Sequence, residues 1–191
     1  MTMIDHSNSL LNNEHAQSTW RDLIRAVPDF PKSGIMFRDV MPMLRDPFAY
    51  DMAIGAMSEA YLDENIEQVI GLDARGFIFG GAMAMELDAG FTAVRKAGKL
   101  PGNNHRINYG LEYGKATFEL PVGSVAGRRC LVVDDLLATG GSMAAACELV
   151  KRDGGIIVGV VFMIELTGLG GRAKIHATVG NDVDVFALLN Y

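Results

Sequence analysis

One thirteen-residue segment, CLVVDDLLATGGS at 130–142, constrains the fold more than any other part of the chain. It begins with a continuous apolar run, which is typical of a central strand buried on both faces of a parallel sheet. Two carboxylates, Asp134 and Asp135, follow the run, and a Thr-Gly-Gly-Ser turn then leads into a predicted helix at 141–152. A strand, a loop and a helix in this order indicate an α/β fold.

The same alternation of apolar runs and helical segments continues along the chain. Strands are predicted at 68–72, 91–95, 116–120, 129–133, 156–164 and 183–189, and helices at 14–27, 46–62, 76–87 and 141–152. Residues 96–114 have weak periodicity and several glycines, which predicts a long loop of the kind that is often functional. We therefore predict an α/β fold with a mostly parallel central sheet flanked by helices.

Composition excludes several classes of protein. The 191 residues favour one domain, and 17 basic against 23 acidic residues give a net charge of -6, which argues against a nucleic-acid partner. The longest apolar run, 156–164, is too short to span a bilayer, and no signal peptide is expected, so we predict no membrane association. Cys130 and Cys147 lie in apolar stretches, as expected of buried thiols in the reducing cytoplasm.

The turn at 138–142 has the properties of a phosphate-binding loop. A helix N-terminus presents unpaired N–H groups, and glycines let such a backbone close around an anion. Asp134 and Asp135 would repel phosphate but suit the hydroxyl groups of an attached sugar, so the segment could bind a ribose 5-phosphate. The alternative is a solvated acidic pair before an ordinary glycine turn. The segment matches neither GxxxxGK[ST] nor GxGxxG.

A second loop, GLDARGF at 71–77, also follows a predicted strand and precedes a helix. Arg75 supplies charge there, and Gly76 permits close approach of an anion. Four of the 17 basic residues fall within twelve positions nearby: Arg95, Lys96, Lys99 and Arg106. They could clamp a pyrophosphate under a closing loop. The alternatives are a surface ion pair for Arg75 and a solvated loop for the others.

Several segments together resemble one family. The segment at 130–142 resembles the phosphoribosyl-diphosphate (PRPP) motif of type I phosphoribosyltransferases. Resemblance to the adenine phosphoribosyltransferases covers roughly residues 20–191 and rests on PDFPKSGIMFRD (28–39), GLDARGFIFG (71–80), RKAGKLPG (95–102), LEYGKA (111–116), VVDDLLATGG (132–141) and VVFMIELTGLGGR (160–172). The first of these and the LEYG stretch distinguish the adenine enzymes from the hypoxanthine-guanine and orotate families.

The resemblance implies an organisation and an activity. The organisation is a polar extension at 1–15 and a single domain at 16–191, with a small base-covering hood at 28–45 and a flexible lid at 96–115. The activity is a step of purine salvage, in which the 5-phosphoribosyl group passes from PRPP to adenine, giving AMP and pyrophosphate. The resemblance also implies a homodimer and Mg²⁺ held mainly by substrate oxygens rather than by protein ligands.

Matching residues acquire roles from the family. The ribose and 5-phosphate would contact Asp134, Asp135, Ala138, Thr139, Gly140, Gly141 and Ser142. Pyrophosphate would contact Asp73, Ala74, Arg75, Arg95, Lys96 and Lys99, with a cis peptide between the first two. Adenine would contact Met36, Phe37, Arg38 and Leu166. Glu112 is the candidate acid/base and Tyr113 a lid residue, although a single loop glutamate is more often simply solvated.

Two alternatives to this family remain. A PRPP- or nucleotide-sensing regulator could keep the acidic pair and the glycine turn, but Glu112 and the basic cluster disfavour it. A phosphoribosyltransferase for xanthine or hypoxanthine would need a lysine placed for the 6-oxo group.

Overall fold

The structure is a computed structural model that describes residues 14–111 and 114–191. They fall into two compact units, with the boundary after Ala56. The first unit contains α1 (Glu14–Leu23), β1 (Arg25–Pro28), β2 (Met36–Asp39), α2 (Met41–Arg45) and most of α3 (Pro47–Ser58). The predicted hood at 28–45 therefore contains β2 and α2.

The first unit is held by a buried indole and a two-stranded ribbon. Trp20 is fully buried and donates its indole N–H to the Ala49 carbonyl at 3.0 Å. β1 and β2 pair antiparallel, and Arg25 donates to the Asp39 carboxylate across the ribbon at 2.6 Å. This pairing ends α1 at Leu23, so the predicted continuation of that helix to residue 27 is wrong.

The start predicted for the helix at 46–62 is confirmed. Asp46 Oδ1 accepts the N–H groups of Phe48 and Ala49 at 3.0 and 2.9 Å, which caps α3. Pro47 occupies its first position, where no N–H is needed.

A seven-stranded sheet forms the second unit, in the order β5-β6-β4-β3-β7-β8-β9. Its strands are β3 (Gln68–Leu72), β4 (Gly90–Lys96), β5 (Asn104–Leu111), β6 (Gly114–Pro121), β7 (Arg129–Leu137), β8 (Ile156–Glu165) and β9 (Asp184–Asn190). Its helices are α4 (Gly76–Glu86), α5 (Gly141–Arg152) and α6 (Gly171–Val179).

The predicted mostly parallel sheet is confirmed. β3 pairs parallel with β4 and β7, and β8 pairs parallel with β7 and β9. Apolar side chains of the central strands, including Ile70, Val132 and Phe162, are buried in one core. This arrangement places the loops after β3 and β7 side by side at the carboxyl edge of the sheet.

The predicted loop at 96–114 is wrong for most of its length. Residues 104–111 form β5, which pairs antiparallel with β6, and β6 pairs antiparallel with the end of β4. Ile107 and Tyr109 alternate with polar residues and pack against the core. Gly110 within the strand, and Gly98 and Gly102 before it, gave the whole segment the composition of a loop. The flexibility of the lid at 96–115 remains a prediction, as does a single domain over 16–191.

No helix of the described residues is long and apolar enough to cross a membrane. α6, which the sequence did not predict, is one of the shorter helices and begins within the distal segment at 160–172.

Asp153, at the end of α5, ties the turn after β6 to the core. Its buried carboxylate accepts the N–H groups of Gly123 and Val125 at 2.6 and 2.8 Å, and His105 Nε2 lies 2.9 Å from Oδ1. Burial alone would raise the pKa of this carboxyl, but the two N–H groups and His105 lower it. Asp153 therefore stabilises the fold most when it is ionised.

Replacing Asp153 with asparagine should lower the free energy of unfolding by about 1–3 kcal/mol at pH 7, because an amide group would face an N–H donor. The stability contributed by the lowered pKa is present above about pH 4 and is lost as the pH falls through the folded-state pKa. Urea unfolding at pH 7 and at pH 3 measures both effects. The exposed Asp51→Asn variant is the control, and equal stability of the two variants at pH 7 would contradict the prediction.

Candidate active site

A cavity of about 480 Å³ lies at the carboxyl edge of the sheet in the second unit. Ligand sites of parallel α/β sheets are usually found at this edge. Among the lining residues are many that the sequence predicted: Asp73, Ala74, Arg75, Lys96, Asp134, Asp135, Ala138, Thr139, Gly140, Gly141 and Ser142. Two separate loops and the end of β4 therefore meet around one space.

The glycine turn presents the N-terminus of α5 to this cavity. α5 begins at Gly141 without a side-chain cap, so its first N–H groups are available to an anion. Gly140 has φ +75°, a conformation that favours glycine, and a Cβ added there would lie 2.6 Å from the Gly171 carbonyl oxygen. A Cβ on Gly171 would in turn overlap the Ala138 carbonyl oxygen. The turn thus lies against the first residue of α6, backbone against backbone.

The acidic pair lies at the end of β7. Asp135 is 4% exposed, Asp134 is half-buried, and the Asp135 N–H donates to Asp134 Oδ1 at 2.9 Å. Arg75 Nε lies 2.9 Å from Asp135 Oδ2, so an ion pair joins the loop after β3 to the strand β7. This ion pair is not aligned as a hydrogen bond, and no described group donates one to that buried oxygen.

Burial shifts both members of the acidic pair. It raises the pKa of the Asp134 carboxyl, and the neighbouring Asp135 raises it further. Burial also raises the pKa of Asp135, although Arg75 opposes this shift. Positive charge or hydroxyl donors placed beside the pair would therefore be strongly favoured.

A third carboxylate, Asp73, gathers the basic residues at the rim. Its Oδ2 lies 3.2 Å from Arg95 Nε and 3.5 Å from Lys99 Nζ, and it accepts the Lys96 N–H at 3.4 Å. Burial alone would raise the pKa of Asp73, but Arg95, Lys96 and Lys99 lower it. The Asp73–Ala74 peptide is cis, as the family resemblance implied.

Some predicted residues are not among those that line this cavity. Arg106, from the basic cluster, contacts Glu119 rather than Asp73. Met36, Phe37 and Arg38 lie on β2 in the first unit, and Leu166 follows β8 in the second, where its N–H donates to the Leu137 carbonyl at 2.8 Å. Glu112 and Tyr113 lie outside the described residues. The roles proposed for the adenine-contacting residues and for Glu112 and Tyr113 stay predictions.

The structure adds residues that sequence reasoning missed. Tyr109, Gly110, Phe118, Met143 and Phe162 line the cavity. The Tyr109 ring stacks on Phe118 with centroids 4.6 Å apart, so β5 supplies part of the wall. The alternation of apolar and polar residues at 105–109 was the available signal. No sequence pattern pointed to Lys174, whose Nζ lies 3.7 Å from the position that a Cβ on Gly141 would take.

Comparison with known proteins agrees with this arrangement. A family profile described as "Phosphoribosyl transferase domain" matches residues 44–187. The adenine phosphoribosyltransferase of Sorangium cellulosum is 44% identical over 186 residues, which are 97% of this chain and 93% of that protein. The chain belongs to the adenine phosphoribosyltransferase family. The family and the enzyme class predicted from the sequence are thereby confirmed.

Solved structures of adenine phosphoribosyltransferases share the fold. The enzyme of Rhodothermus marinus is 44% identical, with a TM-score of 0.86 over 94% of this chain and 100% of that one. The enzyme of Saccharomyces cerevisiae is 38% identical, with a TM-score of 0.83 over 92% and 99% of the two chains. The yeast structure contains adenine and an imino-altritol bisphosphate.

Proposed function

We infer that this adenine phosphoribosyltransferase acts in purine salvage, transferring the 5-phosphoribosyl group of PRPP to adenine and giving AMP and pyrophosphate. The supporting observation is the convergence of three kinds of group around one cavity. These are the acidic pair Asp134–Asp135, the uncapped N-terminus of α5 and the cations gathered by Asp73. Their order across the cavity suits the hydroxyls, the 5-phosphate and the pyrophosphate of one PRPP molecule.

The ribose 5-phosphate is assigned to β7 and the turn that follows it. The carboxylates of Asp134 and Asp135 accept hydrogen bonds from the ribose hydroxyls. The backbone of residues 138–142 holds the phosphate, with hydroxyl donors from Thr139 and Ser142. Lys174 adds positive charge beside Gly141.

The pyrophosphate is assigned to the loop after β3 and the end of β4. Its anionic oxygens bind the basic groups of Arg75, Arg95 and Lys99, which lie near carboxylates in the structure, and that of Lys96, which lines the cavity. Asp73 and Ala74 supply the backbone of that loop. The base is assigned to Met36, Phe37, Arg38 and Leu166.

The reaction forms a bond between adenine N9 and ribose C1 while the bond from C1 to the pyrophosphate oxygen breaks. Positive charge develops on the ribose and negative charge on the leaving group. The acidic pair stabilises the first and the basic rim the second, so catalysis comes from charges placed in advance. In the direction of AMP formation Glu112 accepts the proton that a ring nitrogen of adenine loses, and it returns that proton in the reverse reaction. Tyr113 follows it in the lid.

Mg²⁺ is part of this proposal. The cavity offers carboxylate oxygens, which suit that cation, but the described residues contain no cluster of three or more His, Cys, Asp or Glu side chains able to hold a metal. Substrate oxygens would therefore supply most of its ligands. When bound, the ion would supply positive charge near the pyrophosphate.

A homodimer in the cytoplasm completes the proposal. Apolar side chains on α4 and at the start of β4 support the homodimer, since Ile78, Met85 and Phe91 are 38%, 81% and 40% exposed. Both cysteines are buried free thiols, which fits a reducing compartment.

An assay with radiolabelled adenine, hypoxanthine and guanine, each with and without PRPP, tests the proposed activity. We expect labelled AMP only from adenine with PRPP. Product from hypoxanthine or guanine at a comparable rate would identify another base specificity. Tight PRPP binding without any product would identify a sensor.

A further inference from the structure

Glu119 is a buried charge for which the proposed reaction has no direct use. It lies on β6, opposite Arg95 of β4 on one side and Arg106 of β5 on the other. It is 0% exposed, and it is not among the residues that line the cavity. A carboxylate enclosed this completely needs partners, because burying an unpaired charge is costly.

Both oxygens of Glu119 have partners on neighbouring segments. Oε2 accepts the Gly98 N–H at 3.0 Å. Oε1 lies 2.8 Å from Arg106 Nε, in an ion pair that is not aligned as a hydrogen bond. Arg106 is two-thirds exposed, so it balances the buried charge from the solvent side.

Gly98 belongs to the turn that separates two proposed pyrophosphate ligands. Lys96, before the turn, lines the cavity, and the Lys99 ammonium, after it, lies 3.5 Å from Asp73. The turn is attached to β6 at two points, since the Ala97 N–H also donates to the Thr117 carbonyl at 2.9 Å. Of these two contacts, the one from Glu119 is made by a side chain, and it holds the turn at Gly98.

We propose that Glu119 is a positioning residue for pyrophosphate binding. It fixes the turn at 97–98 so that Lys96 and Lys99 both face the Asp73 side of the cavity. The inference rests on the proposed function, because it concerns ligands assigned there. It also explains why Arg106 contacts Glu119 instead of joining the other cations at Asp73.

The first test compares two ligands, pyrophosphate and ribose 5-phosphate, that have no assigned binding residue in common. Calorimetry would measure the dissociation constants of pyrophosphate with Mg²⁺ and of ribose 5-phosphate. Glu119→Met should weaken pyrophosphate binding about tenfold and leave ribose 5-phosphate within about twofold. Glu119→Gln keeps an acceptor for the Gly98 N–H and should recover most of the loss. Equal weakening of both ligands, or no weakening, would overturn the proposal.

A second pair of variants decides the question if Glu119→Met does not fold. Gly98 and Gly102 have φ values of +81° and +74°, and a Cβ at either would meet nothing within 4 Å. Alanine therefore introduces the same backbone strain at both without a steric clash. Gly98→Ala should weaken pyrophosphate binding selectively, and Gly102→Ala should not. Equal effects of the two would count against the role of Glu119.

The same measurements separate this inference from the proposed function. If the unaltered protein makes AMP from adenine and PRPP but the variants bind pyrophosphate normally, only the role of Glu119 fails. If the unaltered protein neither makes AMP nor binds pyrophosphate, the proposed function itself fails.

Discussion

Replacing Gly140 with valine should lower kcat/KM for PRPP by at least about a hundredfold, or about 2.7 kcal/mol of transition-state stabilisation. Two physical reasons combine. The φ of +75° at this position strains a β-branched residue, and the first side-chain carbon would lie 2.6 Å from the backbone oxygen of Gly171. Backbone cannot move aside as a flexible side chain can, so the turn that holds the 5-phosphate must shift.

Gly168→Val is the matched control for this prediction. Gly168 lies near Gly171 in the chain, has no positive φ, and would accept a Cβ with nothing within 4 Å. Steady-state kinetics and thermal unfolding of both variants separate a binding defect from misfolding. If Gly140→Val keeps its KM for PRPP and its kcat, the turn does not hold the phosphate.

Asp135→Asn should lower kcat/KM by about 10²–10³, because the charge that faces the developing positive centre is removed while its volume is kept. The melting temperature at pH 7 should be unchanged or higher. Burial raises the pKa of this carboxyl, so its ionised form opposes folding above about pH 4, and asparagine removes that cost. A loss of activity without a loss of stability distinguishes a functional from a structural role.

Asp63→Asn, at an exposed position, is the corresponding control and should leave both quantities unchanged. Kinetics with saturating adenine, together with thermal unfolding of the same preparations, measure the two effects. Near-normal kcat/KM in Asp135→Asn would remove Asp135 from the reaction.

The sequence predicts best the elements whose patterns are local. The run at 129–133 became part of β7, and the helix predicted at 141–152 has the same limits in the structure, because a glycine turn and a basic last turn mark its ends. Most of the lining residues in the loops after β3 and β7 were predicted for the same reason. Each of these two loops follows a strand and precedes a helix.

The strands that were missed depend on distant partners. β5 forms only because β6 pairs along its whole length, and β1 because β2 lies beside it. Tyr109 could not be placed at the cavity without the first of these pairings. Spacing along the chain also does not reveal that Gly171 packs against the turn at Gly140, because 31 positions separate the two residues.

The ion pairs of Asp73 have a consequence for product departure. An anion that binds Arg95 and Lys99 must displace this carboxylate. Its net free energy of binding is therefore the difference between the new ion pairs and the ones that they replace. Such an exchange keeps affinity moderate, and the carboxylate can recover its partners as soon as the anion moves away. Where turnover is limited by release of product, an internal competitor of this kind shortens the time for which the product stays bound.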